Sequence, residues 1–298
     1  MNSTFRSASG EWRPGWRVII CLALIVAVML VVNIGWRVLH LPKKTIEGVT
    51  QPWPHMIFST LLATGSLAVV VLLLRKLEAR GLEAIGMPLH RGALFQTSLG
   101  TLIGAAPIGL LVLVAVLAGY GHVEPGRFPV SDIVAVMLPL LIANLVIAGW
   151  EEWVLRGYIF RQLSLGISPA VAAVGTAIAF GLLHSGNPGA NWQGLLYTMV
   201  GGLFMAWILI RTGSLWLLIG YHFGWNATSF LLFGLDLSGH DRGASLLSTR
   251  LSGPDWITGG SYGFEAALPT ALSEVLVLSI VLYWIGRRAH RFPVGDSG

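Results

Sequence analysis

The chain has 298 residues, 54% of them hydrophobic and 11% charged, with a formal net charge of +5. Soluble domains carry about 25% charged residues, so a soluble globular protein is excluded, and successive apolar runs of about 20 residues point to one bundle of membrane helices. The basic residues flank those runs and form no stripe that would track phosphates, which leaves no basis for a nucleic-acid partner.

Residues 1–17 are polar and carry Arg6, Arg13 and Arg17. The apolar run from Val18 to Trp36 is longer than a signal-peptide core and is expected to be a retained first span. Cys21, the only cysteine, lies inside it, which removes a disulfide framework or thiolate metal site and leaves a structural thiol. A loop marked by Pro42, Lys43, Lys44, Pro52 and Pro54 leads to a second run, Met56 to Leu74, which stops at Arg75-Lys76. A basic connector follows, in which Gly81, Gly86 and Pro88 prevent one continuous helix. The third run, Ala93 to Ala118, is rich in glycine and contains Pro107. The fourth begins near Asp132 and ends near Leu163, about 48 Å if helical throughout. A hydrocarbon core is about 30 Å thick, so this segment must tilt, kink near Pro139 or protrude. The fifth opens at Ser168-Pro169, a good helix start, and reaches His184 before the turn-rich SGNPGANW. The sixth covers Gly194 to Ile210, the seventh Ser214 to Leu235 and the eighth Ala271 to Ile285.

The expected fold is therefore all-α, a polytopic transmembrane helical bundle of about eight spans. Its divisions are a cytoplasmic N-terminal segment (1–17), three spans with their loops (18–130), a four-span core (131–235), an extramembrane loop (236–270), and a last span with a basic tail (271–298). Eight spans put both termini on one side. Assigning that side to the cytoplasm places 13 of the 19 basic residues there, with Arg37, Lys43, Lys44, Arg127, Arg242 and Arg250 on the other side. The positive-inside rule favours this orientation, and an N-terminal run with no eukaryotic sorting signal is compatible with a bacterial inner membrane.

Charge inside the apolar runs is confined to few places. The fourth run holds Glu151, Glu152 and Arg156, the fifth His184, and the seventh His222 with Asn226, while Glu274 is expected near an interface. A carboxylate at the bilayer centre costs roughly 2.5–3.5 kcal/mol on insertion scales, so two in a row call for a use. Glu152 and Arg156 are four residues apart and form an acid-before-base pair on one helix face, whereas Glu151 points about 100° away. The two acids are thus expected to have separate jobs, Glu152 supporting the helix and Glu151 seeking partners from other spans. Phe180–His184 and His222–Asn226 are also four apart and project from single faces. His40, His55, His90, His122, His240 and His290 flank spans or lie in loops and are assigned no chemistry.

A carboxylate, two imidazoles and a carboxamide on three helices have the types needed to hydrolyse an amide. A desolvated glutamate can act as general base toward water with a histidine holding that water, and a second histidine with an asparagine can donate to the oxyanion. Glu151, His184 and His222 also suit a divalent metal such as zinc, although neither HExxH nor a thiolate motif is present. Serine chemistry has no GxSxG to rest on. A non-enzymatic membrane scaffold or immunity-type protein would use the same polar groups to bond helices. A proton-coupled transporter would use them as a relay, but no matched broken helices occur in two halves.

EEWVLR (151–156) matches EExxxR, FGLLH (180–184) matches FxxxH, and HFGWN (222–226) matches HxxxN. In this order on successive spans they resemble the type II CAAX prenyl endopeptidase family, also called CPBP or ABI intramembrane proteases. The resemblance covers about residues 130–235. It implies an eight-helix intramembrane peptidase whose site opens toward the cytoplasmic leaflet, acting on a membrane protein or lipidated peptide. It also implies roles: Glu151 activates water with His184, His222 and Asn226 stabilise the oxyanion, and Glu152, Arg156 and Phe180 support them. Members are often labelled metalloproteases, and a metal-free glutamate-activated water has also been proposed for them. Others are linked to bacteriocin immunity. The 236–270 loop is where substrate choice is expected to reside.

Overall fold

The computed structural model describes residues 4–7, 10–39, 45–46, 49–50, 52–126, 130–240 and 245–286. In chain order the helices are α1 (Pro14–Val38), α2 (Pro52–Leu77), α3 (Ala93–Leu117) and α4 (Val130–Glu151). A π-helix (Glu152–Ile159) carries α4 directly into α5 (Phe160–Gly166). Then come α6 (Pro169–Leu183), α7 (Trp192–Thr212), and α8 (Leu215–Asn226) with its own π-helical continuation (Ala227–Leu232). A short α9 (Asp255–Thr258) precedes α10 (Leu268–Gly286). Two small antiparallel pairs complete the set: β1 (Thr45–Ile46) with β2 (Val49–Thr50), and β3 (Gly121–Pro125) with β4 (Leu247–Leu251).

Local chemistry explains where these helices start. The side chains of Ser168, Asn191 and Ser214 accept first-turn N–H groups from Val171 at 3.2 Å, Gly194 at 2.8 Å and Leu217 at 3.1 Å. Pro52 and Pro54, expected in a loop, instead form the first turn of α2, where a missing N–H costs nothing.

Five helical segments are long and apolar enough to cross a membrane: Pro14–Val38, Ile57–Leu77, Ala93–Leu117, Ala135–Gly166 and Trp192–Thr212. The expected eight spans are not all of that kind. Pro169–Leu183 and Leu268–Val281 are shorter apolar helices, and α8 passes into π geometry after Asn226. At 1.5 Å per residue α6 is only about 22 Å long, because the Ser185–Gly186–Asn187–Pro188–Gly189 turn ends it.

Glycine sets the tightest contact in the bundle. Gly100 and Gly104 of α3 face the backbone carbonyls of Leu217 and Tyr221, and Gly220 and Gly224 of α8 face those of Thr97 and Thr101. A Cβ at any of the four would collide with a carbonyl oxygen, so two small-xxx-small stripes seat α8 directly on α3. Asn144, buried on α4, donates from Nδ2 to the Phe223 carbonyl at 3.3 Å and ties α4 to the same helix.

The bundle has two distinct ends. At one, the 78–92 connector meets the start of α8: Leu215 N–H donates to the Gly86 carbonyl at 2.8 Å and Trp216 Nε1 to the Pro88 carbonyl at 2.9 Å. Arg17 of α1, Glu78 just past α2, and Arg161 and Gln162 of α5 form an ion cluster there. The sequence assigned Arg17 and Arg161 to orientation alone; the structure buries both. At the other end, β3 pairs with β4 from Gly121↔Leu251 to Pro125↔Leu247, and Ser252 N–H donates to the Tyr120 carbonyl at 2.8 Å. Ser261 Oγ donates to the Gly189 carbonyl at 3.4 Å, so the 184–191 turn packs here too. The described residues of 236–270 pack into the bundle, with Tyr262 and Phe264 fully buried. Lys43, Lys44, Arg127, Arg242, Arg287, Arg288, Arg291, His40 and His290 lie outside the described residues.

Candidate active site

Glu152 begins the π-helix, with its side chain wholly buried. Its Oε1 accepts from Arg156 Nη1 at 3.2 Å, the expected i,i+4 pair. The same oxygen accepts from His222 Nδ1 at 2.9 Å, across 70 residues of sequence. A carboxylate only accepts, so His222 carries its proton on Nδ1 in this contact. The other ring nitrogen, Nε2, lies 3.7 Å from Glu151 Oε2, beyond hydrogen-bond length. The two acids diverge on their helix as expected, and His222 turns one ring nitrogen toward each of them. π geometry also recurs at functional sites.

Phe180 sits between the charged and aromatic groups. The Arg156 guanidinium lies 4.1 Å from its ring centroid, a cation–π contact inside the bundle. Its ring makes edge contacts with His184 at 4.7 Å and His222 at 6.0 Å between centroids. Gly202 of α7 leaves room for this stack: a Cβ there would lie 3.0 Å from Arg156 Nη2 and 3.4 Å from Phe180 Cδ1. Glu152 Oε2, Arg156 Nε and Arg156 Nη2 make no hydrogen bond among the described residues.

His184 caps the C-terminus of α6, and its Nδ1 contacts the Phe180 carbonyl at 2.8 Å. A carbonyl accepts, so Nδ1 is protonated and the Nε2 lone pair remains for a ligand. Asn226, the last residue of α8, is nine-tenths buried and forms no hydrogen bond through its carboxamide among the described residues. Glu151, His184, His222 and Asn226 all line one cavity of ≈ 440 Å³, so residues chosen from three separate runs come together. The side chain of Glu151 is 20% exposed, against 0% for Glu152.

The cavity has further polar walls, to which the sequence assigned no role in the site. Glu274, expected near an interface, is buried on α10 and accepts from Tyr221 Oη at 2.7 Å. Glu265 accepts from Trp225 Nε1 at 3.0 Å and from Ser238 N and Oγ, both at 2.6 Å. Both glutamates, with Ser238 and His240, line the cavity, although His240 had been given no role. An acid within the last apolar run was the available signal for Glu274. Nothing local marked Glu265, which binds α8 across 40 residues.

Among the described residues no group of three or more His, Cys, Asp or Glu side chains is arranged to hold a metal ion. His222 and His184 each use only Nδ1 among the described residues, toward Glu152 and the Phe180 carbonyl, and hydrogen bonds of that kind leave the other ring nitrogen available to a ligand.

Over residues 133–228 the chain is similar to the Rce1-like family, described as type II CAAX prenyl endopeptidase Rce1-like. That stretch carries Glu151, Glu152, Arg156, Phe180, His184, His222 and Asn226. No curated protein matches the chain. The apolar helices and this similarity indicate an integral membrane protein.

Proposed function

We propose that the protein is an intramembrane endopeptidase that hydrolyses a peptide bond in a membrane-anchored or lipidated substrate. The observation that carries this is the convergence of Glu151, His184, His222 and Asn226 on one cavity inside the bundle. Glu151 is the partly exposed acid of the pair and takes a proton from water, while His184 Nε2 holds that water. The water oxygen bonds to the carbonyl carbon and the π electrons move to the carbonyl oxygen. Asn226 Nδ2 and His222 Nε2 donate to that oxyanion. Donation from Nε2 requires the doubly protonated ring, and Glu152 and Glu151 supply one carboxylate beside each nitrogen. Collapse of the intermediate breaks the C–N bond, and the proton held by Glu151 passes to the leaving amine.

Phe180 and Arg156 position this set: the guanidinium fixes Glu152 on one side and stacks on the ring that contacts both histidines on the other. The test is purified protein in detergent with a panel of lipidated and membrane-spanning peptides, comparing wild type with Glu151→Gln. Cleavage should fall about 10²–10⁴-fold, the usual contribution of a general base. Undiminished cleavage by Glu151→Gln would refute the assigned mechanism.

A further inference from the structure

The cavity reaches only one end of the bundle. Asn187, Ser238, His240 and Glu265, none of them fully buried, line it at the end built from 118–126, 184–191 and 236–267. No described residue of the N-terminal segment, the 78–92 connector or the 212–214 turn does so. The first described residues before α1 and the end of α10 both lie at that second end, because α1 leaves it and α10 returns to it. Two expectations from the sequence therefore conflict: termini in the cytoplasm, and a site opening toward the cytoplasmic leaflet.

Charge decides between them. Arg13, Arg75, Lys76, Arg80, Arg91 and Arg211 gather at the end away from the cavity mouth, whereas Arg37 and Arg250 are the basic residues described at the mouth end, and over the whole sequence the division between the two sides is 13 to six. Lysine and arginine beside span ends are retained on the cytoplasmic side, and acids count for little in that bias. We infer that the cavity opens on the extracytoplasmic face, so that the scissile bond of a membrane-anchored substrate is reached from that face and not from the cytoplasm. The side wall fits such a substrate. Leu22, Val26 and Met29 of α1 line the cavity while remaining exposed on the apolar flank of the bundle, which gives a bilayer-held segment an apolar approach. The substrate part of this inference rests on the peptidase proposal; the orientation does not.

A membrane-impermeant maleimide applied to sealed spheroplasts tests both parts. Ser252→Cys and Asn187→Cys should each gain one adduct mass before permeabilisation, and Arg91→Cys only after it. Wild type should gain none, because Cys21 is buried. If Asn187→Cys does not fold, His240→Cys replaces it, since His240 also lines the cavity at that end. Labelling of Arg91→Cys in sealed spheroplasts, with Ser252→Cys protected, overturns the orientation. Labelling of Ser252→Cys with the mouth residue protected overturns the open face. The expected labelling pattern without hydrolysis of any peptide in the panel refutes the peptidase proposal and leaves the orientation standing.

Discussion

Glu78 and Glu152 are both carboxylates with almost no exposed side-chain surface, 2% and 0%, and each is shared by donors from different helices. Glu78 uses both oxygens: Oε2 meets Arg17 at 3.1 Å and also Arg161, and Oε1 accepts from Gln162 at 2.8 Å. These contacts bind α1, α2 and α5 at the terminal end, and none of the residues lines the cavity. Among the described residues Glu152 uses only Oε1, for Arg156 and His222, and Nε and Nη2 of Arg156 are likewise unpaired. Among the described residues Asn226 makes no side-chain hydrogen bond, and Glu151 Oε2 stands 3.7 Å from His222 Nε2. A buried carboxylate with every acceptor satisfied acts as a staple. One set among partly free donors and acceptors, beside a cavity, is arranged for a ligand.

The largest expected effect lies on the staple side. Glu78→Ala leaves two buried guanidinium groups without their shared acceptor, and loss of one partner from a buried pair costs about 3–5 kcal/mol. Thermal unfolding in detergent should show it as a much lower midpoint. Asn226→Ala breaks the comparison the other way. Cleavage should fall about 10²–10³-fold, as when one oxyanion donor is removed, with the unfolding midpoint unchanged because no side-chain hydrogen bond is lost. An equal loss of stability would make Asn226 a staple too. Phe180→Leu sharpens the boundary, since it removes a cation–π contact worth about 0.5–2 kcal/mol and the ring that spaces both histidines. Stability should drop by that amount, and cleavage should fall further than the stability loss explains when both are measured on the same preparation. Ser168→Ala has the smallest expected effect, about 1 kcal/mol from a lost N-cap, with cleavage by the folded fraction unchanged.

Short-range order was legible in the sequence. Residues four apart on a helix gave the Glu152–Arg156, Phe180–His184 and His222–Asn226 faces, and the structure makes the first two direct contacts. Ser168-Pro169 gave a helix start that the cap bond bears out. What the sequence hid is long-range. Arg17, Glu78 and Arg161 looked like separate flanking charges because no local spacing links residues on three helices. The second contact of His222 depends on how α8 seats against the π-helix, which the Gly100/Gly104 and Gly220/Gly224 stripes control. The two π-helices, starting at Glu152 and Ala227 directly after Glu151 and Asn226, have no signature in apolar periodicity. Polar composition marked 236–270 as an extramembrane loop but not that Glu265 fastens it to Trp225, one residue before Asn226.

The most direct test of the distinction between staple and site is a paired measurement on Glu151→Gln and Glu78→Gln, reading peptide cleavage and thermal midpoint from the same detergent preparations. The expected result is that Glu151→Gln loses cleavage and keeps the wild-type midpoint, while Glu78→Gln loses midpoint and its remaining folded fraction still cleaves. A Glu151→Gln protein that cleaves at the wild-type rate, or that unfolds as readily as Glu78→Gln, would contradict it.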